Sequence, residues 1–298
     1  MPISETRPGT RAVAPVGVTD GLVTLGPDAV RLRAALDAVF TGWAADAGAA
    51  EVLYPPLVRV ADLARFDYFT NFPHLALAAA PVDTAAVAAL PARDAGPDTR
   101  LAGASLGDAG FVLPSAACYS AYLSLSGARL DEPVKLTTIA QCFRRETAYR
   151  GMRRLHGFTM REIVAVGDAA TVKGHLATHR TLIHAFAAHL GLVLRTEVAT
   201  DPFFDANGSR AVMQRLFPTK EEFVVGDGDD GLAIASVNYH RNFFGERAGI
   251  TCGGEEAHTS CVAFGVERWL HVLAERFGGD WGAAEDAVRS FGSAGASR

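Results

Sequence analysis

Four cysteines in 298 residues are too few for a disulfide framework, and none stands in a CxxC pair. Cys118, Cys142, Cys252 and Cys261 are scattered, so a reducing cytoplasm is the expected compartment. No apolar run approaches the roughly 18 residues of a membrane span. The first 20 residues carry Arg7 and Arg11 but no apolar signal core, which argues against secretion. Positive charge is not in excess either: the formal net charge is −5 and the pI about 6.0. That excludes a broad polyanion-binding face while leaving room for a local basic patch. No internal repeat is present.

The chain does have apolar bulk, with 49% hydrophobic residues, enough for a substantial core. Residues 1–20, rich in Pro, Thr and Gly, are expected as a disordered tail, and 21–298 as one catalytic domain. Gly26-Pro27-Asp28 is a helix start signal, and Leu32, Leu36, Val39 and Trp43 follow at helical spacing to Gly48. Glu51 to Leu57 reads as a short strand broken by Pro55 and Pro56. Ala78 to Ala109 is expected as a loop-rich insertion with a short helix near Val82 to Ala89. A helix is expected over Tyr119 to Ser126, and an amphipathic one from Val172 through Leu176, His179, Ile183 and Phe186 to Leu190, ended by Gly191. His179 reads as a core residue. Leu192 to Ala199, Glu222 to Gly226 and Leu232 to Asn238 read as strands, and Val262 to Phe277 as a helix. The fold class that follows is α+β, a mainly antiparallel sheet flanked by helices.

Two stretches carry chemistry. Cys142-Phe143-Arg144-Arg145-Glu146 and Phe158-Thr159-Met160-Arg161-Glu162 read as two strands joined by an arginine-rich turn. Residues two apart on a strand share a face, so Arg144 with Glu146, and Phe158 with Glu162, are expected to point together. A nucleoside triphosphate needs such a set: a guanidinium for phosphate, a polar hook for the base and a ring to stack on. The same residues also suit a surface hairpin with an ion pair. The second stretch is Ala263-Phe264-Gly265-Val266-Glu267-Arg268, at the head of an apolar run.

Phe-Arg-x-Glu followed late in the chain by Gly-x-Glu-Arg resembles motifs 2 and 3 of the class II aminoacyl-tRNA synthetases. The long helix before Glu51 to Leu57 resembles motif 1, the dimer interface of that family. The resemblance implies that Arg144 holds the α-phosphate of ATP, Glu146 the adenine edge and Arg268 the γ-phosphate, with Phe158 stacked on adenine; Arg144, Glu146 and Arg268 are then the catalytic set. Arg153, Arg154, Lys220 and Ser236 are further ATP candidates, and Glu162, Lys220 and Asn238 are candidates for the amino-acid substrate. Two departures stand out: Ala263 replaces the usual glycine, and the strand Leu232 to Asn238 lacks the carboxylate that usually helps to hold Mg2+.

By spacing alone, Cys118 and Cys261 read as buried core cysteines. One subgroup, the methanogen-type seryl-tRNA synthetases and their short relatives, the amino acid–carrier protein ligases, holds a Cys/Glu/Cys zinc, and Cys118, Glu162 and Cys261 fall at those three places. The resemblance therefore implies Zn2+ and Mg2+ as cofactors, ATP as a substrate, a homodimer, and activation of alanine or glycine for the phosphopantetheine thiol of a carrier protein. The resemblance covers little beyond a catalytic core, and an acidic chain suits tRNA poorly. Arg150, Arg153 and Arg154 are candidates for a patch facing an acidic carrier. An enzyme charging a nucleic-acid acceptor and a non-catalytic amino-acid sensor are the alternatives.

Overall fold

The structure, a computed structural model, describes residues 16–87, 99–101 and 103–295. The chain opens on a hairpin of β1 (Val16–Thr19) and β2 (Leu22–Leu25), turned at Asp20 and Gly21. The described structure thus begins inside the expected tail; residues 1–15 lie outside the described residues. Asp-Gly flanked by apolar residues is a strong local hairpin signal, which a reading by composition passed over. Helix α1 (Pro27–Asp46) starts at the predicted proline and buries Leu32, Leu36, Phe40 and Trp43. Val39, expected on this stripe, is only half-buried beside Phe40. Strand β3 (Ala50–Glu51) is much shorter than expected: the Val52 N–H makes a last bond to the Thr137 carbonyl, and Pro55 and Pro56 beyond it have no N–H for a ladder.

A three-stranded sheet of β4 (Val58–Arg59), β5 (Leu77–Ala79) and β6 (Phe111–Leu113) follows, with α2 (Val60–Arg65), α3 (Tyr68–Asn71) and α4 (Thr84–Val87) in its connections. The expected 82–89 helix is α4; its residues 88 and 89 lie outside the described residues. Next come α5 (Cys118–Ser124) and β7 (Arg129–Leu130), then the long hairpin of β8 (Val134–Phe143) and β9 (Gly157–Gly167). Helix α6 (Ala169–His189) is capped by Asp168, whose carboxylate accepts the N–H groups of Ala170 and Thr171, and it buries His179 as expected. Then follow β10 (Leu194–Ala199), α7 (Ser209–Leu216), β11 (Lys220–Val225), β12 (Leu232–Arg241), α8 (Phe243–Ala248), β13 (Thr251–Cys252), β14 (Glu255–Glu256), β15 (His258–Gly265), α9 (Val266–Arg276) and α10 (Trp281–Gly295).

The main sheet has seven strands in the order β10-β11-β12-β15-β9-β8-β3, antiparallel except for the β3–β8 edge pair. The fold is α+β, as the sequence indicates. The expected helix over 262–277 is a correction: residues through Gly265 belong to β15, and α9 starts at Val266. Central β15 is buried on both faces, so its apolar run lacks the alternation that marks a half-buried strand.

One sheet face packs on α1, α6, α9 and α10. Phe40 of α1 stacks on Phe264 of β15 at a centroid distance of 4.0 Å, with Trp43, Phe186 and Trp269 around them. The other face carries the site and is partly covered by α5 and α8. Helix α8 approaches so closely that a Cβ on Gly245 would stand 2.0 Å from the carbonyl oxygen of Ala257. Gly245→Ala is therefore expected to cost about 2 kcal/mol or more, read as a lower midpoint in thermal unfolding. A melting curve unchanged from wild type would refute this packing.

Candidate functional site

Pairing fixes the site. β8 and β9 run from Val134↔Val166 to Phe143↔Gly157, and β9 pairs on its other edge with β15. Alternation puts Phe158, Met160 and Glu162 on the open face. Thr159, Arg161 and Ile163 face the helices, where buried Arg161 donates to Asp37 at 2.8 and 2.9 Å and to Glu51 at 2.8 Å. This ties α1 and β3 to the hairpin. One expectation needs correction: Arg144 and Glu146 do not lie on a strand. β8 ends at Phe143, and both belong to the turn over 144–156, where the Arg144 N–H still donates to the carbonyl of His156. The strand ends there because the cross-strand ladder ends at Phe143↔Gly157.

Arg144, Glu146, Arg153, Arg154, Phe158, Lys220, Ser236 and Arg268 nevertheless line one cavity. The Arg144 guanidinium lies over the Phe158 ring, 5.0 Å from its centroid, and donates to the carbonyl of Ser115. Arg268 donates to the carbonyls of Arg153 at 3.1 Å and Ala233 at 2.9 Å. Burial, and then the like charge of Arg144, bring Arg268 down to about 10. Among the described residues, neither Arg144 nor Arg268 forms a salt bridge. Arg154 faces Glu146 at 3.7 Å. Lys220 is already paired, at 3.2 Å with Asp201 and 3.0 Å with Glu222, and these carboxylates hold its pKa up against burial.

The triad Cys118, Glu162 and Cys261 also converges. Cys118 opens α5, Glu162 lies on β9 and Cys261 on neighbouring β15; all three are buried, with ligand atoms within 4.8 Å of one another. Glu162 Oε1 accepts the Ala117 N–H at 2.8 Å, whereas buried Oε2 has no partner. Asn238, paired with Cys261 across the β12–β15 ladder, donates to its Sγ at 3.4 Å. The hydrogen bond with Cys261 and then burial push the Cys118 thiol well up. Burial likewise pushes Glu162 up, against the hydrogen bonds of Cys118 and Ala117. Two thiols and a carboxylate with an unpartnered oxygen form a donor set that a zinc ion fits. A second cavity contains the triad and Asn238, and shares Arg144, Met160, Lys220, Ser236 and Ala263 with the first. The two therefore adjoin, with Arg144 lining both.

Residues 115–277 match the family described as tRNA synthetase class II core domain (G, H, P, S and T). Amino acid–acyl-carrier-protein ligase 1 of Bradyrhizobium diazoefficiens is 33% identical over 283 residues, 89% of this chain and 85% of that protein. Ligase 2 of the same organism is 36% identical over 248 residues, 79% of this chain and 72% of that protein. The chain belongs to the amino acid–acyl-carrier-protein ligase family. It is an enzyme built on a class II synthetase core. M. kandleri SerRS, solved in complex with A. aeolicus tRNASec, superposes with a TM-score of 0.74 at 20% identity, over 89% of this chain and 56% of that one. Giardia lamblia prolyl-tRNA synthetase, in complex with prolyl-adenylate, superposes with a TM-score of 0.63 at 15% identity, over 86% of this chain and 48% of that one. The ligase chain thus spans about half the length of those synthetases, and they share its fold.

Within this ligase core, several site residues escaped the sequence reading. Glu222 on β11 faces the first cavity and is paired across the ladder with Ser236. It supplies a carboxylate beside the strand that lacks one. Asp201 and His240 line the second cavity. His240 stands two residues past Asn238 on β12, so period two from Ser236 and Asn238 would have found it. Asp201 sits in a loop and had no such signal. Glu267 is held elsewhere: it accepts the Thr159 N–H at 2.7 Å and the Thr159 hydroxyl at 2.8 Å, fastening α9 to the hairpin. Among the described residues, no helix is long and apolar enough to cross a membrane.

Proposed function

We propose that the chain from the first hairpin onward forms one catalytic domain that activates alanine or glycine with ATP and passes it to the phosphopantetheine thiol of a carrier protein. The observation that carries this is the adjacency of two cavities that share Arg144 in a chain of the ligase family. One presents Arg144 and Arg268, which form no salt bridge among the described residues and so are suited to phosphates. The other presents the buried triad.

In the first step the amino-acid carboxylate attacks the α-phosphorus, the bond to the departing pyrophosphate breaks, and an aminoacyl-adenylate forms. Arg144 binds the α-phosphate and Arg268 the γ-phosphate, so charge that moves toward pyrophosphate is met by fixed guanidinium groups. Phe158 supplies the stacking face for adenine, and Glu146 accepts from its amino group. Arg153 and Arg154 extend the phosphate side. Ser236 and Glu222 would hold Mg2+ bound with ATP. Lys220, neutralised by Asp201 and Glu222, braces the wall between the cavities. Cys118, Glu162 and Cys261 would hold zinc, which supplies a Lewis acid with one open position for the neutral amine of the substrate. Asn238 fixes the Cys261 sulfur beside it. In the second step the carrier thiol attacks the carbonyl and AMP leaves. A homodimer through α1 and β3, and a cytoplasmic location, belong to the same proposal.

The test is incubation with labelled alanine or glycine, ATP and either a phosphopantetheinylated carrier protein or tRNA. Label on the carrier is the expected result. Label on tRNA alone would replace this reading with a nucleic-acid acceptor, and no activation at all would leave an amino-acid sensor. Substrate choice adds a second test. Pyrophosphate exchange should proceed with free glycine and alanine but not with N-acetylalanine, whose nitrogen has no lone pair to offer. One methylene changes pocket affinity by only about 1–3 kcal/mol, so both small substrates are expected to react. Strong exchange with N-acetylalanine, or a preference for leucine or phenylalanine, would refute the assignment.

A further inference from the structure

The turn over 144–156 carries Arg144, Glu146, Arg153 and Arg154, and its internal backbone hydrogen bonds join only Arg150 to Arg153 and Arg154 and Arg144 to His156. Its tip is anchored on one side, where Arg150 donates to the Asp230 carboxylate at 2.9 Å and Arg153 to the Asp230 carbonyl at 2.6 Å. Its base is anchored on the other side by the hairpin of β1 and β2. The His156 N–H donates to the carbonyl of Gly21 at 2.7 Å. Tyr149 reaches back across the turn, its hydroxyl 2.8 Å from His156 Nδ1 and its ring against Gly21. A Cβ on Gly21 would stand 2.4 to 2.8 Å from three atoms of that ring, and Gly21 has φ +72°, a conformation that side chains rarely adopt. Two independent features therefore require glycine at this point. Leu22, next in the hairpin, lies over Gly157 at the base of β9.

We propose that the N-terminal hairpin is a clip for the nucleotide-binding turn, with Gly21, Tyr149 and His156 as positioning residues for ATP. Gly21 presents its carbonyl to the turn and leaves room for the Tyr149 ring, which closes over it. Gly21, Leu22, Tyr149 and His156 are not among the residues that line the amino-acid cavity, so the clip sets the placement of Arg144 and Arg154 and reaches that cavity only through Arg144. The proposal rests on the reading that this turn binds ATP, but the clip itself is readable without ATP.

The turn contains Arg144, Arg145, Arg150, Arg153 and Arg154, each a trypsin site, so its looseness can be measured directly as a cleavage rate. Gly21→Ala and Tyr149→Ala should each speed cleavage within 144–156. In pyrophosphate exchange each should raise KM for ATP by roughly tenfold or more, as misplacement of binding groups does, and change KM for the amino acid much less. Tyr149→Phe, which keeps the ring over Gly21, should restore most of both properties. Because the Gly21 and Tyr149 changes share the ring contact, Gly21→Ala in a Tyr149→Ala background should add less than it does alone, the remainder being the backbone strain at φ +72°. Tyr149 is exposed on its outer side, so its variants keep the test independent of any folding defect at Gly21. Unchanged cleavage and unchanged KM for ATP in Tyr149→Ala would overturn the clip. Faster cleavage with unchanged KM for ATP would overturn its role in nucleotide positioning. If wild type shows no ATP-dependent exchange, the ATP reading fails, while the cleavage rates still decide whether the clip exists.

Discussion

Arg144→Ala and Arg268→Ala are each expected to slow ATP–pyrophosphate exchange by about a hundredfold, or on the order of 3 kcal/mol of transition-state stabilisation. The reason lies in what these guanidinium groups lack. Both line the cavity, and among the described residues neither forms a salt bridge with Asp or Glu. Arg268 is buried and held by two carbonyl oxygens, which orient it without neutralising it. Two like charges left facing one space favour an anion there, and their mutual repulsion contributes to the lowering of Arg268. Removing either should therefore leave the fold intact and relieve some repulsion, so the loss is confined to catalysis. Lys220 is the contrast: its charge is already met by Asp201 and Glu222. Near-wild-type exchange in Arg144→Ala or Arg268→Ala, with circular dichroism unchanged in both, would refute the nucleotide assignment.

The extent to which this site was legible depended on where each residue sits. Phe158 and Glu162 were placed on one face by strand period alone, and the ladder from Val134↔Val166 onward agrees. The amphipathic helix α6 was legible because its buried positions recur every three or four residues and Gly191 ends it. The failures have physical causes. β15 is covered on both faces, so Val262 to Gly265 show no alternation, and the apolar run reads as helix. Arg144 and Glu146 were legible as a pair but not as turn residues, because the end of β8 is set by its partner strand. The first hairpin was hidden by a composition that reads as tail, although Asp20 and Gly21 carry the turn signal. Glu222 was invisible because its neighbour across the ladder, Ser236, is fourteen residues away through an intervening turn. The triad was legible only through family resemblance, since spacings of 44 and 99 residues between its members carry no ligand signal of their own.

Cys261→Ser is expected to remove zinc from the purified protein, which as wild type should carry about one ion per chain. The triad is buried, its ligand atoms already lie within 4.8 Å of one another, and Glu162 Oε2 has no other partner. Those features leave an unsatisfied donor where a cation would sit. Serine at 261 exchanges a soft sulfur for a hydroxyl that does not ionise near neutral pH, so affinity should fall sharply. Cys118→Ser should act in the same way. Neither change should unfold the chain. A protein of this size buries roughly three quarters of its unfolded surface, so the core does not depend on a metal as a small zinc domain does. The core around Phe40, Phe264 and Trp269 lies on the opposite face of the sheet from the triad. The expected pattern is thus a native circular dichroism spectrum, loss of zinc by elemental analysis, and exchange reduced by more than about a hundredfold. Cys142 and Cys252 serve as controls, because both are free thiols outside the triad. Cys252→Ser should retain zinc and activity. Wild-type protein free of zinc after purification without added metal, or undiminished zinc in Cys261→Ser, would dismiss the metal assignment while leaving the ATP cavity to stand on its own arginines.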